Sequence, residues 1–141
     1  MKLTNTQAMK SKSGMTLLEL TVVILVLLSL ISILFIGARA WKKGSDRAAN
    51  ILNIRNVQQA VRAHINVRGL VGSDPVVASD IVGSGKYLNT PISPNTDITY
   101  PALANTTVTL LPAGTLFLKA TYADAQATSD FAPVPATIVE W

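Results

Sequence analysis

The chain has 141 residues, with 12 Lys and Arg against 8 Asp and Glu and a formal net charge of +4. That length holds one modest domain plus an attached segment. The absence of cysteine excludes a disulfide framework, a thiolate metal site and a thiol nucleophile.

In chain order, residues 1–14 are polar and carry Lys2, Lys10 and Lys12, with Ser13 and Gly14 at the end. Residues 20–38 are an uncharged apolar run. As a helix they span about 28 Å, close to a hydrocarbon core of about 30 Å. Glu19 is a lone acid at the start of that run. An ionised carboxylate at membrane depth costs about 2.5–3.5 kcal/mol unless something pairs with it.

Three readings of this stretch compete. A cleaved secretory signal has Lys10 and Lys12 before the run and Ala38-Arg39-Ala40 as a small-residue cleavage site. The run nonetheless exceeds the usual apolar region of about 7–15 residues and begins with an acid. A plain single-pass anchor leaves Glu19 at the headgroup boundary. The third reading rests on Gly14-Met15-Thr16-Leu17-Leu18-Glu19, preceded by Lys10 and Lys12 and followed by the apolar run. This arrangement resembles the class III signal of type IV pilins and type II secretion pseudopilins.

The resemblance implies a leader of residues 1–14 that prepilin peptidase removes, cutting between Gly14 and Met15. It implies that Met15 is then N-methylated and that Glu19 serves filament assembly. The family more often has Phe where this chain has Met15. The resemblance also places the leader in the cytoplasm, because Arg39, Lys42 and Lys43 balance the leader lysines and the positive-inside count does not decide topology. On this reading an unpaired Glu19 is a penalty, relieved by the amine that cleavage exposes on Met15, in its own chain or in a neighbour. The helix macrodipole adds about 0.3–1 kcal/mol in favour of an acid at that end.

After the run, Trp41 with Lys42 and Lys43 has the composition of an interfacial anchor. Gly37 and Gly44 each weaken a helix by about 1 kcal/mol relative to Ala and are candidate bend points. From Ser45 the pattern is helical again, and Ser45-Asp46 is a candidate restart or cap. Ile51, Ile54, Val57, Val61 and Ile65 fall on one stripe, with Asn53, Asn56, Gln59, Arg62 and Asn66 turned away. Gly69 and Gly72 end the helix. The expected stem thus runs from about residue 15 to 67, a membrane and assembly half at 15–40 and an amphipathic half at 41–68. His64, the one histidine, has no second ligand-type residue near it in sequence and reads as a surface or partly buried helix residue.

Residues 69–95 are rich in Gly, Ser and Pro and read as a connector with at most a short helix around 75–82. Within it, residues 86–94 loosely resemble the lead into the sheet of pseudopilins and short pilins, with Tyr87, Leu88 and Ile92 packed over the stem stripe. Strands are expected at 97–100, 106–111, 115–122 and 136–141, from their β-branched and aromatic content. Pro112-Ala113-Gly114 suits a hairpin between the second and third, and 123–135 reads as a loop. The expected fold class is α+β and pilin-like: a long N-terminal helix packed on a small antiparallel meander at 69–141. Asp124 and Asp130 are hard oxygen donors for calcium, but two acids make a thin site beside a solvated loop.

Charge is segregated. Residues 39–68 carry seven bases and one acid, whereas residues beyond 68 carry two bases and six acids. A basic stalk and an acidic head are expected to meet between adjacent subunits, an attraction that salt screens.

No Ser/His/Asp set, phosphate-cradling glycine loop or carboxylate pair points to an enzyme, and no cofactor is implied. The resemblance implies a structural subunit of a type IV pilus-like filament. Its partners are copies of itself, prepilin peptidase and methylase, an inner-membrane assembly platform, and minor pilins or pseudopilins. It is expected as a single-pass inner-membrane precursor and, once assembled, as a periplasmic or cell-surface filament. Two alternatives stay open: a type II secretion pseudopilin driving protein export, and a DNA-uptake subunit whose Arg55, Arg62 and Arg68 meet phosphates. A filament would largely cover that stem, so nucleic acid is not the favoured partner.

Overall fold

The computed structural model describes residues 14–139 and residue 141. Residues 1–13, most of the expected leader, and Glu140 lie outside the described residues. One helix, α1 (Leu17–Arg68), accounts for the N-terminal half. Then come β1 (Pro75–Val76), α2 (Ala78–Ile81), β2 (Ile98–Thr99) and β3 (Thr106–Thr107). A 3-10 turn (Val108–Leu110), β4 (Thr121–Tyr122), α3 (Ala125–Phe131) and α4 (Pro135–Ile138) complete the chain. The layout is α+β. The chain divides into two units, the first ending at Arg39 and the second starting at Ala40.

In the first unit every described residue is exposed, including Leu17 at 82% and Ile36 at 71%. This part of α1 is long and apolar enough to cross a membrane. Its three internal hydroxyls all turn back on the helix. Thr21 Oγ1 donates to the Leu18 carbonyl at 2.9 Å, and Ser29 and Ser32 donate to the Leu25 and Leu28 carbonyls at 2.8 Å. A hydroxyl satisfied this way leaves no open donor toward apolar surroundings. Gly37 and Gly44 do not interrupt α1, which runs through both, and Ser45-Asp46 neither restarts nor caps a helix. Helix formers flank both glycines and no proline lies nearby, so about 1 kcal/mol per glycine is a cost that a long helix absorbs.

The second unit folds around the C-terminal part of α1. Ile54, Val57 and Val61 are at most 1% exposed, and Asn50, Gln58 and His64 are buried among them. Spacings of three and four residues put these six on one face. Ile51 and Ile65, expected on that stripe, are half-buried. The helix ends in a Schellman closure: Gly69 at φ 63° donates to the Asn66 carbonyl, and Leu70 N–H to the Ile65 carbonyl at 3.0 Å. Val76, Ile81 and Leu118 complete the main core, and Ile98, Ala127 and Phe131 form a second cluster.

The expected meander is corrected. β1 pairs antiparallel with β3 and β2 with β4, giving two two-stranded sheets. The hairpin around residues 112–114 does not form, and the cause is Gln58. Its Nε2 donates to the Thr115 carbonyl at 3.1 Å, and its Oε1 accepts from Phe117 N–H at 3.1 Å. These bonds take up backbone groups that a 106–111 partner would have used. The expected strand at 136–141 is instead α4, begun by Pro135 in its first turn, where a fixed φ and a missing N–H cost nothing. The expected loop at 123–135 contains α3, started by Asp124, whose Oδ1 accepts Ala127 N–H at 2.7 Å. The short helix near 75–82 shrinks to α2 preceded by β1.

Candidate functional site

The site that the sequence singles out is the start of α1. Gly14 to Thr16 precede the helix, and Met15 is 71% exposed. Thr16 is the N-cap residue. Glu19 N–H donates to Thr16 Oγ1 at 3.3 Å, while Glu19 Oε2 accepts from Thr16 N–H at 2.9 Å. This reciprocal pair is a capping box, which satisfies two of the N–H groups that a helix start leaves open. The Glu19 carboxylate is thus hydrogen-bonded to the backbone of its own chain. The Thr-x-x-Glu spacing was readable in the sequence, but attention to the acid alone passed over Thr16.

The Gly14–Met15 bond consequently lies outside the helix, two residues before its first turn. The arrangement can present a cut site, fix where the helix begins and hold a carboxylate one residue from the amine that a cut at Gly14–Met15 would create.

The second set of polar side chains lies along α1 within the second unit. Asn50 Nδ2 donates to Tyr122 Oη at 3.1 Å and to the Phe131 carbonyl at 3.0 Å, and Asn50 Oδ1 accepts from Tyr100 Oη at 2.8 Å. Asn53 Nδ2 reaches the Ile92 carbonyl and Tyr100 Oη. Asn95 Nδ2 donates to Asp46 Oδ2 at 3.0 Å. Burial raises both Tyr100 and Tyr122 above the usual phenol range, which the amide hydrogen bonds partly oppose. Asn53 was expected to face away, and Asn50 and Gln58 were not singled out. The hydrophobic pattern could not reveal them, because a buried amide and an exposed one read alike.

His64 is 3% exposed and packs edge-on to Tyr87 at 5.6 Å, so it belongs to the core. Its Nδ1 is buried without a hydrogen-bond partner among the described residues. Tyr87 and Leu88 pack over the stem as expected, whereas Ile92 is 84% exposed.

Asp124 and Asp130 do not converge on a cation site. Asp124 caps α3, and Asp130 pairs with Lys43 at 2.8 Å and accepts from Gln126 at 3.0 Å. The hydrogen bond to Asp130 holds the Lys43 ammonium above its usual range. Lys43 first, then Gln126, hold the Asp130 carboxyl below the usual range. Among the described residues no three His, Cys, Asp or Glu side chains are grouped to hold a metal. One pairing of the basic stem with the acidic head is thus made inside a single chain. Arg55 stacks over the Trp141 ring at 5.0 Å.

Comparison with protein-family models, with curated proteins and with solved structures gives no match.

Proposed function

We propose that the chain is a structural subunit of a type IV pilus-like filament. It is inserted in the inner membrane, cut between Gly14 and Met15 by prepilin peptidase, N-methylated on Met15 and polymerised through its N-terminal helix. The carrying observation is an apolar helix that is exposed along its run among the described residues, begun by a capping box just after the Gly14–Met15 bond. Burying a large apolar side chain is worth about 1.5–3 kcal/mol, so a run of this length needs apolar surroundings worth on the order of tens of kcal/mol. Lipid supplies them to the precursor, and the helices of sister subunits supply them in the polymer.

The capping box gives Glu19 two successive tasks. In the precursor it fixes the helix start and keeps the carboxylate hydrogen-bonded at the edge of the apolar layer. After cleavage the Met15 ammonium appears one residue from the Thr16 N–H that Glu19 already accepts. The carboxylate can then neutralise that charge in its own chain or in a neighbour packed alongside.

The test combines mass measurement of the mature chain with electron microscopy of the producing cells. The expected product starts at Met15 with a methyl group, and cells lacking the chain lose filaments. Glu19→Gln is expected to insert and be cut but not to polymerise. An intact Met1, or a terminus at Trp41, would overturn the reading. Filaments that persist in Glu19→Gln would remove the charge-pairing step alone.

A further inference from the structure

The chain carries one sequence motif for a side-chain modification. Of its eight asparagines, Asn105 alone is followed two positions on by Ser or Thr without an intervening proline, in Asn105-Thr106-Thr107. This is the acceptor pattern for N-linked sugar, in which the side-chain amide nitrogen takes the sugar and the hydroxyl two residues later is read by the transferase.

The surroundings of Asn105 suit that role. Asn105 is exposed, and its Oδ1 accepts Ala78 N–H at 3.0 Å. That bond fixes the carboxamide by its oxygen and leaves Nδ2, the atom to be modified, without a hydrogen bond among the described residues. A glycosylated carboxamide keeps its oxygen as an acceptor, so the Ala78 contact survives modification. Asn105 immediately precedes β3, which pairs only with β1 among the described residues and so has one edge without a strand partner. Beside it lies a cleft of about 500 Å³ lined by Leu103, Leu110, Leu111 and Phe117 among others. An open strand edge next to apolar surface is a site for unwanted pairing, and a bulky hydrophilic group there blocks it.

We propose that Asn105 is the acceptor of an N-linked oligosaccharide, transferred from a polyprenyl-diphosphate carrier by a membrane transferase. Asn105 Nδ2 attacks the anomeric carbon of the first sugar and forms the new C–N bond. The bond from that carbon to the diphosphate oxygen breaks, its electron pair leaves with the carrier, and one Nδ2 proton passes to a base of the transferase. The inference rests on the reading that the head lies across the membrane from the leader.

The test is a peptide map by mass spectrometry of the full chain purified from the membranes of the cells that naturally make it. The peptide containing Asn105 is expected to carry extra mass in sugar increments. Asn105→Gln and Thr107→Val are expected to abolish the increment completely, and Thr107→Ser to retain it. The Thr107 pair guards against misfolding, because Ser keeps the hydroxyl and Val keeps the shape. An unmodified peptide from a chain trimmed at Met15, or an increment that persists in Asn105→Gln, overturns the proposal. The same map reads the N-terminus separately: a chain that retains Met1 fails the filament reading and not only this inference.

Discussion

The two units use one kind of helix in opposite ways. In the first, the hydroxyls of Thr21, Ser29 and Ser32 turn back on α1, and between Glu19 and Arg39 every described residue is exposed and the surface is mainly hydrocarbon. In the second, the same helix sends amides outward: Asn50, Asn53 and Gln58 bond to loop carbonyls, a loop N–H and tyrosine hydroxyls up to 81 residues away. With strands only two residues long, the head cannot satisfy its backbone by sheet pairing, and the stem supplies much of what is missing. Helical periodicity therefore says where a face lies but not whether the face is held by shape or by hydrogen bonds.

The sharpest way to break this contrast is to truncate one apolar residue in each unit. Ile54→Ala is expected to cost about 2–5 kcal/mol of head stability in thermal unfolding of the detergent-solubilised chain. Leu28→Ala in the bare run is expected to leave that transition where it is. An equal shift from both would mean that the first unit is packed on the head.

Replacing Asn50 by Leu tests the hydrogen-bonded face. It removes the acceptor of the Tyr100 hydroxyl and the donor to Tyr122 Oη and the Phe131 carbonyl, with an expected loss of about 1–3 kcal/mol. A neutral result in the same unfolding experiment would assign the face to packing alone.

At the start of the first unit, Thr16→Val removes one half of the capping box, at an expected cost of about 0.5–2 kcal/mol. Amide exchange in micelles should speed up in the first turn of α1 and nowhere in the head. Unchanged exchange there would show that Thr16 does not cap the helix.

The smallest effect concerns the Lys43–Asp130 pair. Because the Asp130 carboxyl is lowered, its contribution is complete above the ordinary carboxyl value of about 3.9 and is lost as pH falls below it. Because the Lys43 ammonium is raised, its contribution is complete below about 10.4 and is lost as pH rises above that. Head stability of the parent chain and of Asp130→Asn should therefore differ by a constant small amount through neutral pH and converge at both extremes. A difference that varies between about pH 5 and 9 would point to another group.

Much of this was legible in the sequence. Charge and hydropathy marked the apolar run, Gly69 marked the end of the stem, and the α+β layout followed from their order. The head was less legible because its organisers are polar. Gln58 binds residues 115–117 and so cancels a hairpin that Pro112-Ala113-Gly114 would favour locally. Asp124 turns an Ala-rich stretch into α3 by a single cap. Each depends on one side chain meeting one distant or nearby backbone group, and no periodicity records such a meeting.

The back-turned hydroxyls of Thr21, Ser29 and Ser32 have a consequence for movement. Since none of them reaches beyond its own helix, these three hydroxyls offer no directional bond to whatever packs on the run. On the filament reading proposed above, lipid and sister helices would be exchanged along this stretch as one close-packed apolar contact for another.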